Sequence, residues 1–181
     1  DWSSDVCSSD LAILKKGSLA RVNPPLRTQA DVEAILAGLQ DGTLDCIATD
    51  HAPHTAAEKA RGLTEAPSGM VGLETALALT LTKLYHEGYL TLEEIAAKMS
   101  MNPAKVLGQK WSGLTPGGRA DLMLFQLDET WTIQPETFRS KGRNTPFGGM
   151  EVQGRNAYTI AGGKIIYRRD EDRKDGNNDV L

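Results

Sequence analysis

The sequence predicts an α/β fold of the (β/α)-barrel kind, followed by a β-rich portion. Three observations carry this. Val32, Ile35, Leu36 and Leu39 repeat at helical spacing and run into Gly42, and the apolar run Leu44 to Ala48 follows at once, as in an ordinary α-to-β connection. That run ends in Asp50, His51 and His54, and the carboxyl ends of parallel strands are where polar side chains gather in such folds. From Leu114 onward the texture changes to short β-prone stretches separated by glycine turns.

Composition bounds the reading. The 181 residues fit one domain, or one domain and a piece of another. Hydrophobic residues make up 40%, enough for a core, and the charge balance of 24 acidic against 20 basic residues gives −4. That leaves no basic excess for nucleic acid or an anionic membrane surface. No apolar run approaches the roughly 20 residues of a membrane span. The two cysteines, Cys7 and Cys46, lie in unrelated contexts, so neither a disulfide framework nor a cysteine zinc site is expected, which suits a reducing cytoplasm.

In chain order, Asp1 to Leu11 lacks periodicity, an initiator Met and the regions of a signal peptide. It resembles a translated sequencing-adapter remnant, and residues 1–11 are expected to be non-native, with a longer natural chain upstream. The prolines of Asn23-Pro24-Pro25-Leu26-Arg27 forbid regular helix and point Asn23 in a fixed direction. Thr28 with Asp31 forms a capping box for the helix that carries Val32 to Leu39, and Leu44 to Ala48 is then expected to be a buried strand containing Cys46.

Thr55 to Glu65 is polar and reads as an active-site loop or lid. Gly69 and Gly72 let the backbone approach a ligand closely. A helix with a wide apolar face is expected from Leu73 to Tyr85, and Thr91 with Glu94 caps a second. Asn102-Pro103 is expected to start a third, stopped by Gly108. His86 reads as a surface or capping histidine. Strands are expected at Ala120 to Leu127 and Thr130 to Ile133, a loop at Ser140 to Gly149, and a hairpin from Tyr158 to Tyr167 turning on Gly162-Gly163. Trp111, Trp131 and the tyrosines read as core or interface groups, and 170–181 as a disordered tail.

Asp50 can bind a metal or carry a proton, and His54 can anchor an anionic substrate. Each also has a plainer reading, as a turn residue and a satisfied surface group. Three stretches tip the balance: Thr49-Asp50-His51-Ala52-Pro53-His54 with Glu58-Lys59, Asn23-Pro24-Pro25-Leu26-Arg27 upstream, and Ala66-Pro67-Ser68-Gly69-Met70-Val71-Gly72-Leu73-Glu74-Thr75 downstream. In this order they resemble the motifs of the dihydroorotases of the cyclic amidohydrolase superfamily. Family members often carry an aromatic residue where this chain has Ser68.

The resemblance implies the C-terminal part of a metal-dependent hydrolase (β/α)8 TIM barrel in residues 12–110 and part of a small β-sandwich in 111–169. It implies a dihydroorotase, interconverting N-carbamoyl-L-aspartate and L-dihydroorotate in pyrimidine biosynthesis with one or two Zn2+. Asp50 would be metal ligand and general base and acid, with Asn23, His54, Ser68 and Gly69 holding the substrate. The implied partners are a second copy in a homodimer and, as a further candidate, aspartate transcarbamoylase.

The family's metals take a His-x-His pair, two more histidines and a bridging acidic group or carboxylated lysine. This chain has three histidines and no such pair, so it is expected to be inactive alone and to leave an unpaired sheet edge. The alternatives are a hydantoinase or allantoinase, which share the barrel and its Asp, a non-catalytic dihydroorotase-like subunit, and a free-standing β-sandwich binding module. His54 with Asn-Pro-Pro-Leu-Arg speaks against the first, retained Asp50 and His54 against the second, and the strand-end cluster against the third.

Overall fold

A computed structural model describes residues 12–110 and 113–169. The remnant at 1–11, the tail at 170–181 and Trp111 lie outside the described residues. Helix α1 (Ala12–Lys16) passes into a 3-10 turn, Gly17–Ala20. Helix α2 (Gln29–Asp41) begins and ends as its sequence dictates. The Thr28 hydroxyl accepts the Asp31 N–H, the Asp31 carboxylate accepts the Thr28 N–H, and Gly42 at φ 83° closes the helix in the left-handed region. Its buried residues Val32, Leu36 and Leu39 pack with Ile47, Leu81, Leu84, Leu90 and Ile95.

The strand expected at Leu44 to Ala48 does not form. Leu44 is 39% exposed, Cys46 is half-buried, and Ile47 is the buried residue of the run. The Ile47 N–H goes to the Lys98 carbonyl at 3.0 Å. A strand exists only through pairing, and among the described residues no neighbour offers this run a ladder. Pairing begins just beyond it, where His51 and Met70 form a single parallel bridge and the Ala52 N–H reaches the Met70 carbonyl at 2.9 Å.

The polar loop from Thr55 carries a short capped helix, α3 (Ala56–Lys59), built on the same box as α2 with Thr55 and Glu58 as the pair. Helix α4 (Ala76–Thr80) starts later than expected, because the Gly72 carbonyl accepts the N–H groups of both Thr75 and Ala76 in a preceding turn. Leu73 therefore lies outside the helix, 66% exposed. A wider π turn, Leu81–Tyr85, continues α4, and His86 closes it through its N–H to the Leu81 carbonyl.

Helix α5 (Leu92–Ala96), capped by Thr91 and Glu94, runs through a π turn, Ala97–Met101, into α6 (Asn102–Val106). Asn102-Pro103 thus sits inside a continuous helical run and does not start a new one. The π turn shifts the hydrogen-bond register just before Pro103, which has no N–H to give.

Three antiparallel strands form one sheet in the order β1 (Leu122–Thr132), β2 (Glu151–Ala161), β3 (Lys164–Arg168). The two strands expected between Ala120 and Ile133 are a single strand. A bulge separates the pairs Gln126 with Arg155 and Thr130 with Gln153, and it mimics a break in the sequence pattern. The β2–β3 hairpin turns on Gly162 and Gly163, both at positive φ.

Sheet and helices share a core. Ala20, Val22, Leu26, Met70, Val71 and Leu79 pack with Ile133, Phe138, Phe147 and Val152 in one cluster. The segment between β1 and β2 is thereby pressed onto the loops that carry Asp50, His54 and Gly69. No helix among the described residues is long and apolar enough to cross a membrane.

Candidate functional site

His54 is the most firmly held of the sequence-predicted residues. Its main-chain N–H donates to Asn144 Oδ1 at 2.7 Å, and its ring Nε2 lies 3.0 Å from the Ser68 carbonyl oxygen. Its Nδ1 is 4.0 Å from the Glu58 carboxylate, at the outer limit of an ion pair. Ser68 and Gly69 are therefore beside His54.

Gly69 is there because nothing larger fits. Its φ is 131°, and a Cβ on it would stand 2.5 Å from the Ala52 Cβ and 3.1 Å from His54 Nε2. Its N–H is taken by the Arg21 carbonyl at 3.0 Å and its carbonyl by Asn144 Nδ2 at 3.0 Å. The Gly69 backbone is thus committed within the protein, and Ser68 is the half-buried member of the pair.

Gly72 makes a second close approach, since a Cβ there would lie 2.9 Å from the Thr49 carbonyl oxygen. His51 Nδ1 accepts the N–H groups of Gly72 and Leu73 at 3.2 and 3.3 Å. A ring nitrogen that accepts carries no proton, so the neutral ring holds its proton on Nε2, and Nδ1 is not free to bind a metal.

Asp50 stands apart. It is exposed, its φ is 41°, and its carboxylate has no hydrogen-bond or ion-pair partner among the described residues. No group of three or more His, Cys, Asp or Glu side chains among the described residues is placed to hold a metal ion. A catalytic zinc takes about three protein ligands, so the residues present do not by themselves fit that ion. Asn23 is also exposed, at the end of the segment whose Arg21 carbonyl binds Gly69. The structure joins its loop to that of Ser68 and Gly69, while no hydrogen bond links its side chain to them.

Three residues to which the sequence reading gives no role of their own organise this region. Lys59 is 3% exposed, and its ammonium donates to the carbonyls of Arg21 at 3.3 Å and Pro67 at 2.9 Å. Burial, followed by the nearby Arg21 charge, lowers its pKa from the usual lysine value. Glu74 accepts the N–H groups of Arg139 and Ser140 at 2.8 and 3.0 Å. Asn144 joins two stretches of chain, 52–54 and 69–71.

Their signals were present in part. Thr55 and Glu58 have the spacing of the other two capping boxes, which orders the turn that buries Lys59. Pro146-Phe147 puts an apolar pair in an otherwise polar loop, a hint that this loop is packed. Nothing local marks Asn144. A cleft of about 380 Å³ opens elsewhere, between Leu77, Trp131, Arg155 and Tyr167, and holds none of Asp50, His51 or His54.

The Amidohydrolase family model matches residues 6–166. The chain belongs to the amidohydrolase family. Among curated members it is 49% identical over 156 residues to the dihydroorotase of Lactococcus lactis subsp. lactis (strain IL1403), covering 86% of this chain and 37% of that protein. It is equally 49% identical over 155 residues to the dihydroorotase of Clostridium acetobutylicum, with coverage of 86% and 37%.

Among solved amidohydrolase folds, the L-hydantoinase (dihydropyrimidinase) from Arthrobacter aurescens superposes with a TM-score of 0.86 at 28% identity, covering 92% of this chain and 38% of that one. The chain therefore spans little more than a third of the length of the curated relatives it matches. Its α/β architecture is that of part of a metal-dependent hydrolase barrel accompanied by a small antiparallel sheet.

Proposed function

We propose that this chain is the C-terminal part of a dihydroorotase, with residues 12–110 contributing to a TIM barrel and 111–169 to a β-sandwich beside it. The observation that supports this best is the joint placement of His54, Ser68 and Gly69, in a chain 49% identical to dihydroorotases over most of its length. In this reading the reaction is the reversible cyclisation of N-carbamoyl-L-aspartate to L-dihydroorotate in cytoplasmic pyrimidine synthesis. The metal is Zn2+, and the partners are a second copy in a homodimer, with aspartate transcarbamoylase as a further candidate.

An amide carbonyl is a poor electrophile, and a bound metal would supply its polarisation. Asp50 would be one ligand of that metal, with the others coming from outside the described residues. The free Asp50 carboxylate is suited to take the proton of the attacking water and deliver it to the leaving ring nitrogen. His54, its Nε2 held on the Ser68 carbonyl, would stand beside the substrate carboxylate. Asn23 and Ser68 would bind the ring amide, and Gly69, packed against Ala52, would keep the Ser68 backbone close to His54. Such positioning supplies much of the rate.

The test is turnover of dihydroorotate, with hydantoin as the competing substrate. It is measured on the 181-residue chain and on a chimera carrying this chain in place of the matching segment of the Lactococcus lactis relative. Zinc-supported hydrolysis of dihydroorotate by the chimera, and none by the chain alone, is expected. A folded, metal-loaded chimera that prefers hydantoin, or that hydrolyses neither, overturns the assignment.

A further inference from the structure

We propose that Asn144 is a positioning residue for the substrate side of this site, acting through His54 and the Ser68–Gly69 turn. This rests on the reading above. Asn144 is 4% exposed and its amide is fully used. Oδ1 accepts the His54 N–H at 2.7 Å, and Nδ2 donates to the carbonyls of Gly69 at 3.0 Å and Ala52 at 3.2 Å. Its own carbonyl accepts the Val71 N–H at 2.9 Å. The amide orientation follows from its partners, since the flipped form would set an oxygen against two carbonyls.

Only an amide offers two donors and an acceptor from so short a stem. A carboxylate would face two carbonyl oxygens, and an apolar side chain would strand one buried and two half-buried polar groups. Asn144 therefore sets the distance between the His54 backbone and the Gly69 carbonyl, and with it the reach of the ring to the Ser68 oxygen.

Independent contacts show that the surrounding loop is a template. A Cβ on Gly142 would stand 2.6 Å from the Pro53 Cβ and 2.8 Å from the His54 nitrogen, so the two backbones touch. Glu74 grips the loop's entry at Arg139 and Ser140, and Phe147 anchors its exit in the core. Glu74 belongs to the third motif, and here it holds the loop that holds the site.

The experiment is a double-mutant cycle in the chimera, with Asn144→Ala and His54→Ala alone and together, and Gly142→Ala as a second approach to the same contact. Asn144→Ala and Gly142→Ala should each raise KM for dihydroorotate about 10-fold, with kcat changed less than about 3-fold. In the His54→Ala background, Asn144→Ala should add clearly less than about 10-fold, the remainder acting through the Ser68–Gly69 turn. Equal penalties in both backgrounds, or a loss confined to kcat, overturn the proposal.

Amide hydrogen exchange on the same proteins gives a readout that needs no turnover. Exchange at His54 and Val71 should accelerate about 10-fold or more in Asn144→Ala while Leu36 in α2 stays protected. Uniform acceleration would mean general destabilisation and overturn the positioning role. If the parent chimera does not turn over dihydroorotate, the functional reading fails, and exchange still decides whether Asn144 positions His54.

Discussion

Asp50 and His54 lie one helical turn apart in sequence and are built in opposite ways. His54 is fixed at its backbone by Asn144 and at its ring by Ser68. Asp50 projects from a left-handed residue with no partner among the described residues. In the proposed reading, the side that would meet substrate is thus specified by contacts within this chain. The side that would meet a metal depends on groups the described residues do not contain. A strand-end motif that looks uniform in sequence therefore has a self-sufficient half and a dependent half.

The sharpest way to separate the two is a pair of substitutions in the active chimera. Asp50→Asn keeps a residue that tolerates positive φ and removes the proton carrier. It should lower kcat about 1,000-fold with KM within about 3-fold. His54→Ala should do the reverse, raising KM about 10-fold with a small change in kcat. Steady-state kinetics on both variants reads the split, and matching profiles would erase the distinction.

A smaller effect tests the self-sufficient half for its cost. Gly69→Ala forces a side chain into a positive-φ position against Ala52 and should destabilise the fold by about 1–3 kcal/mol in urea unfolding. A neutral result would mean that the 52–54 backbone yields easily, contrary to its three-way bonding.

The smallest effect concerns α3, which carries His54's neighbour Glu58. Hydrogen bonds from the Thr55 backbone and then its hydroxyl lower the Glu58 pKa from 4.5. A lowered carboxylate pKa stabilises the folded state fully above the ordinary value, and the contribution is lost as pH falls through the folded one. The Thr55 amide proton should therefore titrate below pH 4.5 in NMR spectra, and Glu58→Gln should abolish the titration. Lys59 runs the other way: burial lowers its pKa from 10.5, so its cost to stability is relieved as pH rises toward that value.

What the sequence made legible follows from range. Helix α2 was readable because its cap, stripe and stop are all local, and so was the Gly162-Gly163 turn. The bulged β1 read as two strands because a bulge interrupts alternation just as a turn does. The run Leu44 to Ala48 read as a strand from its apolarity, yet pairing is a property of two segments. Asp50, His54 and Gly69 were visible as a resemblance of motifs. Asn144 was not, because its side-chain bonds all go to residues far upstream, and Lys59, though part of the first motif, gave no sign of its burial, because a buried ammonium on carbonyl oxygens looks like any surface lysine.

The bond from His54 to Asn144 spans 90 residues, and that separation has a consequence during synthesis. At roughly 5–20 residues per second, the ribosome releases Asn144 about 5–18 s after His54. Until then the carbonyls of Ala52 and Gly69 and the N–H of His54 have only water to bind. The clasp between His54, Gly69 and Asn144 consequently sets late, long after α2 has had time to form.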